Sequence, residues 1–240
     1  MAESPDTLTV ERPGRGTPEV LKLSLMRRAM ARRMVEAAIV PCFYLRVTAD
    51  VSAVLARREL LRQTSTERPP TLNDFVLHAV AGALRAHPEV NSSFVESAIA
   101  RHPRVNVGVA IAVPDGLVVP AVYDADEKDV HEIAVATRSL AAAANARRLG
   151  RDVLRDATFT VSNLGMFGIE DFDPVINPPQ AAILGVGAAA ASADDGRMLL
   201  RLTLGCDHRV LTGAEGSRFL ATVRSGLESS SVQTPKEDQS

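Results

Sequence analysis

Three strand-like runs follow one another in the last third of the chain: ATFTVSNLG (157–165), AAILGVGAAAA (181–191) and MLLRLTLGCDH (198–208). Each is short, largely apolar and flanked by Gly, Pro, Asn or Asp. Such runs satisfy their backbone groups only in a sheet, so the chain must build one and cover it. The remaining patterns supply the cover. SLMRRAMARRMVEAA (24–38) sets Leu25, Met26, Met30 and Met34 at helical spacing, with Ser24 as N-cap. FYLRVTADV (43–51) alternates as a half-buried strand. Two helices follow in VSAVLARRELLRQ (51–63) and TLNDFVLHAVAGALRAH (71–87), the second capped by Thr71 or Asn73. VNVGVAIAV (105–113) and GLVVPAVY (116–123), joined through Pro114, Asp115 and Gly116, read as a hairpin. An Ala-rich helix runs from about Asp129 to Arg147, and AEGSRFLATVRSGLE (214–228) closes with another. The expected class is α/β, a mixed β-sheet flanked by helices.

Composition narrows the setting. With 240 residues, 46% of them hydrophobic, the chain has material for one large domain or two small ones. No linker divides it. Residues 1–19 and 229–240 are polar and expected to be disordered, leaving 20–228 as the folded domain. A net charge of −2 gives no electrostatic case for nucleic acid or an anionic membrane as partner. Cys42 and Cys206 show neither metal spacing nor a disulfide framework, which suits a reducing cytoplasm. No leader opens the chain and no apolar run reaches ~18 residues, so a soluble cytoplasmic protein is expected.

Five histidines are present: His78, His87, His102, His131 and His208. None sits at metal-ligand spacing with a suitable Cys or carboxylate, so no metal is expected. His78 falls within an amphipathic helix, while His87 and His102 precede proline and read as loop residues. His208 differs, because it ends a strand just ahead of a helix starting near Gly213. A sheet holds such a side chain firmly while it faces a crevice, and an imidazole of pKa about 6.5 is neutral at neutral pH. A general base and a structural turn histidine are both compatible with that position. Cys206, two residues earlier and expected on the same strand face, is either a nucleophile paired with His208 or a small buried thiol. In TFTVSNLGMFG (158–168) a strand runs into a glycine-rich loop, where Ser162 can donate to a developing oxyanion. Gly165 and Gly168 permit close backbone approach to a ligand or simply form a turn. No phosphate-loop or dinucleotide fingerprint occurs.

Six blocks together carry a resemblance. LKLSLMRRAMARRMVEA, PCFYLRVTADV, NDFVLHAVAGALRAHPEVNSSF, VNVGVAIAVPDGLVVPAVYDAD, TFTVSNLGMFGIEDFDPVINPPQAAILGVGA and CDHRVLTGAEGSRFL stand in order across residues 20–228. In that order they resemble the catalytic domain of the dihydrolipoyl acyltransferases of 2-oxo acid dehydrogenase complexes, whose fold is similar to that of chloramphenicol acetyltransferase. The resemblance implies a homotrimer with sites at subunit interfaces, open to further assembly. It implies coenzyme A or acetyl-CoA as acyl donor, no metal, His208 as general base, and Ser162 of the neighbouring chain as oxyanion donor. Asn163, Gly165 and Arg27 are the residues it places on the coenzyme A side.

Two departures bear on function. Nothing in the sequence resembles a lipoyl or peripheral-subunit-binding domain, so no covalently bound lipoyl group is expected. The family pattern also carries Asp or Asn four residues after the histidine, and here Thr212 stands there. The family carboxylate pairs with an arginine, matched by Arg27. These departures favour a stand-alone acyltransferase that moves an acetyl or similar group from acyl-CoA to a small-molecule hydroxyl. The comparable case is tetronate-type metabolism, with a downstream eliminating enzyme as partner. Two alternatives stay open: the catalytic core of a dehydrogenase complex served by lipoyl domains in trans, and a non-catalytic trimeric scaffold.

Overall fold

A computed structural model of the protein describes residues 21–64 and 68–229. The terminal segments expected at 1–19 and 229–240 lie outside the described residues, Ser229 excepted. Helix α1 (Leu25–Ala38) is capped by the Ser24 hydroxyl, which accepts from the Arg27 N–H. Strand β1 (Cys42–Asp50) leads through α2 (Ser52–Thr64) to α3 (Leu72–Ala86). Thr71, not Asn73, caps α3, in a reciprocal box with Asp74. The strands β2 (Ser92–Val95), β3 (Ala98–Arg101), β4 (Val107–Val109), β5 (Ile111–Val113), β6 (Gly116–Val118) and β7 (Ala121–Val122) come next. Helix α4 (Val130–Asn145), β8 (Phe159–Asn163), β9 (Ala182–Ala191), β10 (Met198–Asp207) and α5 (Gly213–Glu228) complete the described chain.

The expected mixed sheet forms. Its six strands lie in the order β1-β10-β9-β8-β4-β7, with β8 parallel to both β9 and β4 and the other pairs antiparallel. Alternation along β10 sends Leu200, Leu202, Leu204 and Cys206 into one face. Phe75 and Leu77 of α3 join them in one buried cluster with Phe219 and Val223 of α5. Each large side chain buried there contributes about 1.5–3 kcal/mol. The same alternation in β8 puts Phe159 and Val161 into that core and turns Thr160 and Ser162 to the other face. The helical core therefore holds the strand from behind while its polar residues look out in front.

Three details depart from the patterns. The hairpin expected over 105–123 divides into two layers. At Ala110 the chain still bonds Val161 of β8, but Pro120 has no N–H to continue the return strand. Consequently β4 and β7 stay in the main sheet, while β5 and β6 fold away as a separate pair around the Pro114-Asp115 turn. Second, β2 and β3 form a hairpin that no turn residue announces, since Glu96 itself takes the left-handed conformation at φ 54°. Third, the apolar face of α1 is not core. Only Ala37 of that helix is buried, and Met26, Met30 and Met34 remain 37–42% exposed.

Candidate active site

The α1 methionines line a cavity of about 480 Å³ on the front of the sheet. Its floor is Thr160 and Ser162 of β8 with Ile183 of β9, its roof is α1, and its sides are the β5–β6 hairpin and residues 172–177. The second of these sides is tied down by charge. Arg46 of β1 bonds the carboxylates of Asp171 (3.0 Å) and Asp173, and Thr203 of β10 donates to Asp171 as well. Of the two charged residues that line the cavity, Asp173 is engaged by Arg46, and Arg33 donates to the Pro178 carbonyl. What remains is a largely apolar chamber with one hydroxyl that has no hydrogen-bond partner among the described residues: that of Ser162.

The neighbours of Ser162 hold the loop that follows. The Asn163 amide donates to Asn73 on α3 at 2.8 Å, and its oxygen accepts from the Gly165 N–H at 2.8 Å. Asn163 thus ties β8 to α3. A Cβ on Gly165 would run into the carbonyl of Gly187, and one on Gly187 into the carbonyl of Glu170. Gly168 is left-handed, at φ 77°. At Gly165 and Gly187 the close approach is of the chain to itself, whereas Gly168 serves the turn by its conformation.

His208 lies just beyond the end of β10, exposed, with its ring centre 4.6 Å from that of Phe43. Its N–H bonds the Pro41 carbonyl at 2.9 Å, and no described residue hydrogen-bonds its ring. Sheet register places it relative to Ser162. Ser162 pairs with Gly185, which pairs with Thr203, and His208 is five residues further on. Two strand spacings and five residue rises put their Cα atoms roughly 20 Å apart. Within one chain the two residues cannot act on the same atom.

The comparisons with known proteins identify the relatives. The family model "2-oxoacid dehydrogenases acyltransferase (catalytic domain)" matches residues 15–233. The chain belongs to that family. It is 38% identical over 214 residues to the dihydrolipoyllysine-residue acetyltransferase component of the pyruvate dehydrogenase complex of Rickettsia felis. That match covers 85% of this chain and 52% of the relative, so the chain spans about half the length of the curated relatives it matches. Among solved structures it is similar to the Azotobacter vinelandii dihydrolipoamide acetyltransferase, at TM-score 0.84 and 30% identity, covering 92% of this chain and 97% of that one. Chloramphenicol acetyltransferase shares the fold, at TM-score 0.58 and 13% identity, over 82% and 94% of the two chains.

Thr212, at the position where the family pattern has a carboxylate or amide, is the N-cap of α5. Its hydroxyl donates to Glu215 at 2.7 Å and its N–H to the same carboxylate at 2.8 Å, while the Glu215 N–H points back at the hydroxyl. The bonds from Thr212 hold the Glu215 carboxyl below the usual range. Arg27 bonds Ser24 through its backbone, and its side chain meets neither Thr212 nor Glu215 within the chain. A cap of this kind is worth about 0.5–2 kcal/mol, so Thr212→Ala is expected to lower the unfolding free energy by that amount. Thr212→Asp, which keeps a capping oxygen, should unfold near the wild-type midpoint in urea.

Cys206 does not pair with His208. The strand ends at Asp207, so face alternation stops before the histidine, whereas Cys206 is fully buried with its sulfur toward Gly216 of α5. Burial pushes its thiol up to about 12. It is the small buried thiol, and iodoacetamide at pH 8 should leave it unmodified in the folded protein. Peptide mass spectrometry checks this, and rapid alkylation at Cys206 would contradict the burial argument.

His78 and His102 titrate below the ordinary histidine value because burial disfavours their charge. His87, at the C-cap of α3, bonds Thr222 at 2.8 Å and His102 bonds Ser93 at 2.8 Å, and both stand outside helix and strand as expected. Among the described residues no group of His, Cys, Asp and Glu side chains could hold a metal ion, and no helix is long and apolar enough to cross a membrane. The residues that sequence reasoning missed are Arg46, Asp171, Asp173 and Thr203. Their only local signal was the acidic run in IEDFDP, whose partners lie more than 25 positions away and appear only on folding.

Proposed function

We propose that the chain is the acyl-transferring core of a 2-oxo acid dehydrogenase-type assembly, moving an acyl group between coenzyme A and a dihydrolipoyl thiol. The observation that carries this is the family match, which spans 15–233 and so takes in both Ser162 and His208. The Azotobacter vinelandii relative was studied for the roles of a serine, a histidine and an asparagine in its mechanism, the last two spaced as His208 and Thr212 are. In a homotrimer, His208 of one chain meets Ser162 of the next, which supplies in two chains what one chain holds too far apart. The apolar chamber over Ser162 suits a slender acyl-bearing arm with few polar groups.

His208 accepts the acceptor thiol's proton on Nε2 as that sulfur attacks the thioester carbonyl. The Ser162 hydroxyl donates to the carbonyl oxygen as negative charge grows there. When the carbonyl re-forms, the departing sulfur recovers the proton from His208. One thioester breaks and one forms, with no net change in protons. A dihydrolipoyl thiol, somewhat less acidic than cysteine with its pKa of about 8.5, asks far less of a neutral imidazole than an alcohol, which must surrender its proton as the new bond forms.

The test is kcat/KM from acetyl-CoA to dihydrolipoamide and to a panel of small primary alcohols, since that ratio reports discrimination in the transition state. Dihydrolipoamide is expected to win clearly. An alcohol preferred over it would replace this reading with the stand-alone hydroxyl transferase and its downstream eliminating partner. Of the two departures that favour that second reading, Thr212 is the one a substitution can test, and Thr212→Asp tests it. If Thr212 tunes the acceptor, the variant shifts the ratio toward the thiol. If Thr212 is only a cap, the ratio stays put. The absence of turnover with any acceptor would leave the trimeric scaffold.

A further inference from the structure

We propose that Phe94 is a positioning residue for His208, acting from the β2–β3 hairpin through Arg209. This rests on the reading of His208 as the base. His208 sits between Asp207 and Arg209, and those two side chains grip one another across it. Arg209 meets the Asp207 carboxylate with two parallel bonds, Nε at 2.9 Å and Nη2 at 2.7 Å, and its N–H adds a third at 3.0 Å. The Asp207 side chain is 2% exposed, so its charge requires that partner. The guanidinium carbon then lies 4.1 Å from the centre of the Phe94 ring. Arg209 is held between a carboxylate and an aromatic face.

The hairpin is fixed where it can do this. Phe94 N–H bonds the Pro179 carbonyl at 3.0 Å, Ala181 N–H bonds the Ser92 carbonyl at 2.9 Å, and Asp207 N–H bonds the Ala181 carbonyl at 2.9 Å. Residues 179–181 therefore tie the hairpin and the end of β10 into one block. Beyond Phe94 the hairpin is exposed from Val95 to Arg101, so its position is set by these bonds and by the ring. Since no described residue hydrogen-bonds the His208 imidazole, its direction depends on the backbone that Arg209 holds and on the Phe43 ring beside it. Loss of the Phe94 face frees Arg209, and the turn that carries His208 loses one wall.

The experiment compares Phe94→Leu, which fills the space without a π face, with Phe94→Tyr, which keeps the face. Phe94→Leu is expected to lower kcat roughly three- to thirtyfold with the KM for acetyl-CoA unmoved, and Phe94→Tyr to restore most of it. Wild-type kcat in Phe94→Leu, or equal impairment in both variants, overturns the proposal. A second measurement does not depend on turnover. In protein labelled with carbon-13 at the histidine rings, the His208 resonance, assigned by its loss in His208→Asn, should be single in wild type and Phe94→Tyr. It should broaden or split in Phe94→Leu. An unchanged resonance there defeats the clamp, whereas a wild type inactive on every acceptor defeats only the functional reading.

Discussion

Replacing His208 by Ala is expected to lower kcat by about 10²–10⁴, the usual contribution of a positioned base. Acetyl-CoA binding should persist, because His208 is not among the residues that line the cavity over Ser162 in one chain. The loss should appear in kcat and in kcat/KM alike, as it does when an interaction formed only in the transition state is removed. Single-turnover transfer from labelled acetyl-CoA measures it directly. Near-full turnover in the variant would return His208 to the structural role that its place at the strand end also permits.

Removing the Ser162 hydroxyl should cost about 10²–10³ in kcat, the range for one lost oxyanion donor. The side chain is small and faces the cavity, so Ser162→Ala should leave the thermal midpoint close to wild type. The larger consequence appears when the two inactive proteins are combined. If each site joins His208 of one chain to Ser162 of the next, a mixed trimer of His208→Ala and Ser162→Ala holds about one intact site in three. Activity should therefore reappear after the proteins are dissociated and reassembled together. With mixed trimers demonstrated by mass spectrometry, continued inactivity would place both residues' chemistry within one chain, against the roughly 20 Å that sheet register sets between them.

The kind of each principal element was legible in the residues. Ser24 and Thr71 sit before helical periods and do cap α1 and α3, and the apolar runs at 157–165, 181–191 and 198–208 do pair as neighbouring strands. Period and capping are local properties, written within one or two turns of chain, so they survive being read alone. The block order likewise carried the family, with Ser162 and His208 inside its most specific stretches.

What covers each face was decided only on folding. The methionine face of α1 has the same spacing whether it meets a core or roofs a cavity, and here it roofs a cavity. The β2–β3 hairpin lacks a glycine or asparagine at its turn and stands because residues 179–181 and Arg209 hold it from far along the chain. Asp171 and Asp173 look like solvent-facing charges until Arg46, 125 and 127 positions away, is brought beside them. Thr212 reads as a lost carboxylate until Glu215 closes the cap around it. The sequence by itself determined the kind of the principal strands and helices and the family they belong to, because period, capping and block order are written along the chain. The tertiary structure decided how far apart Ser162 and His208 stand, because strand order and register depend on pairings between segments that share no local signal.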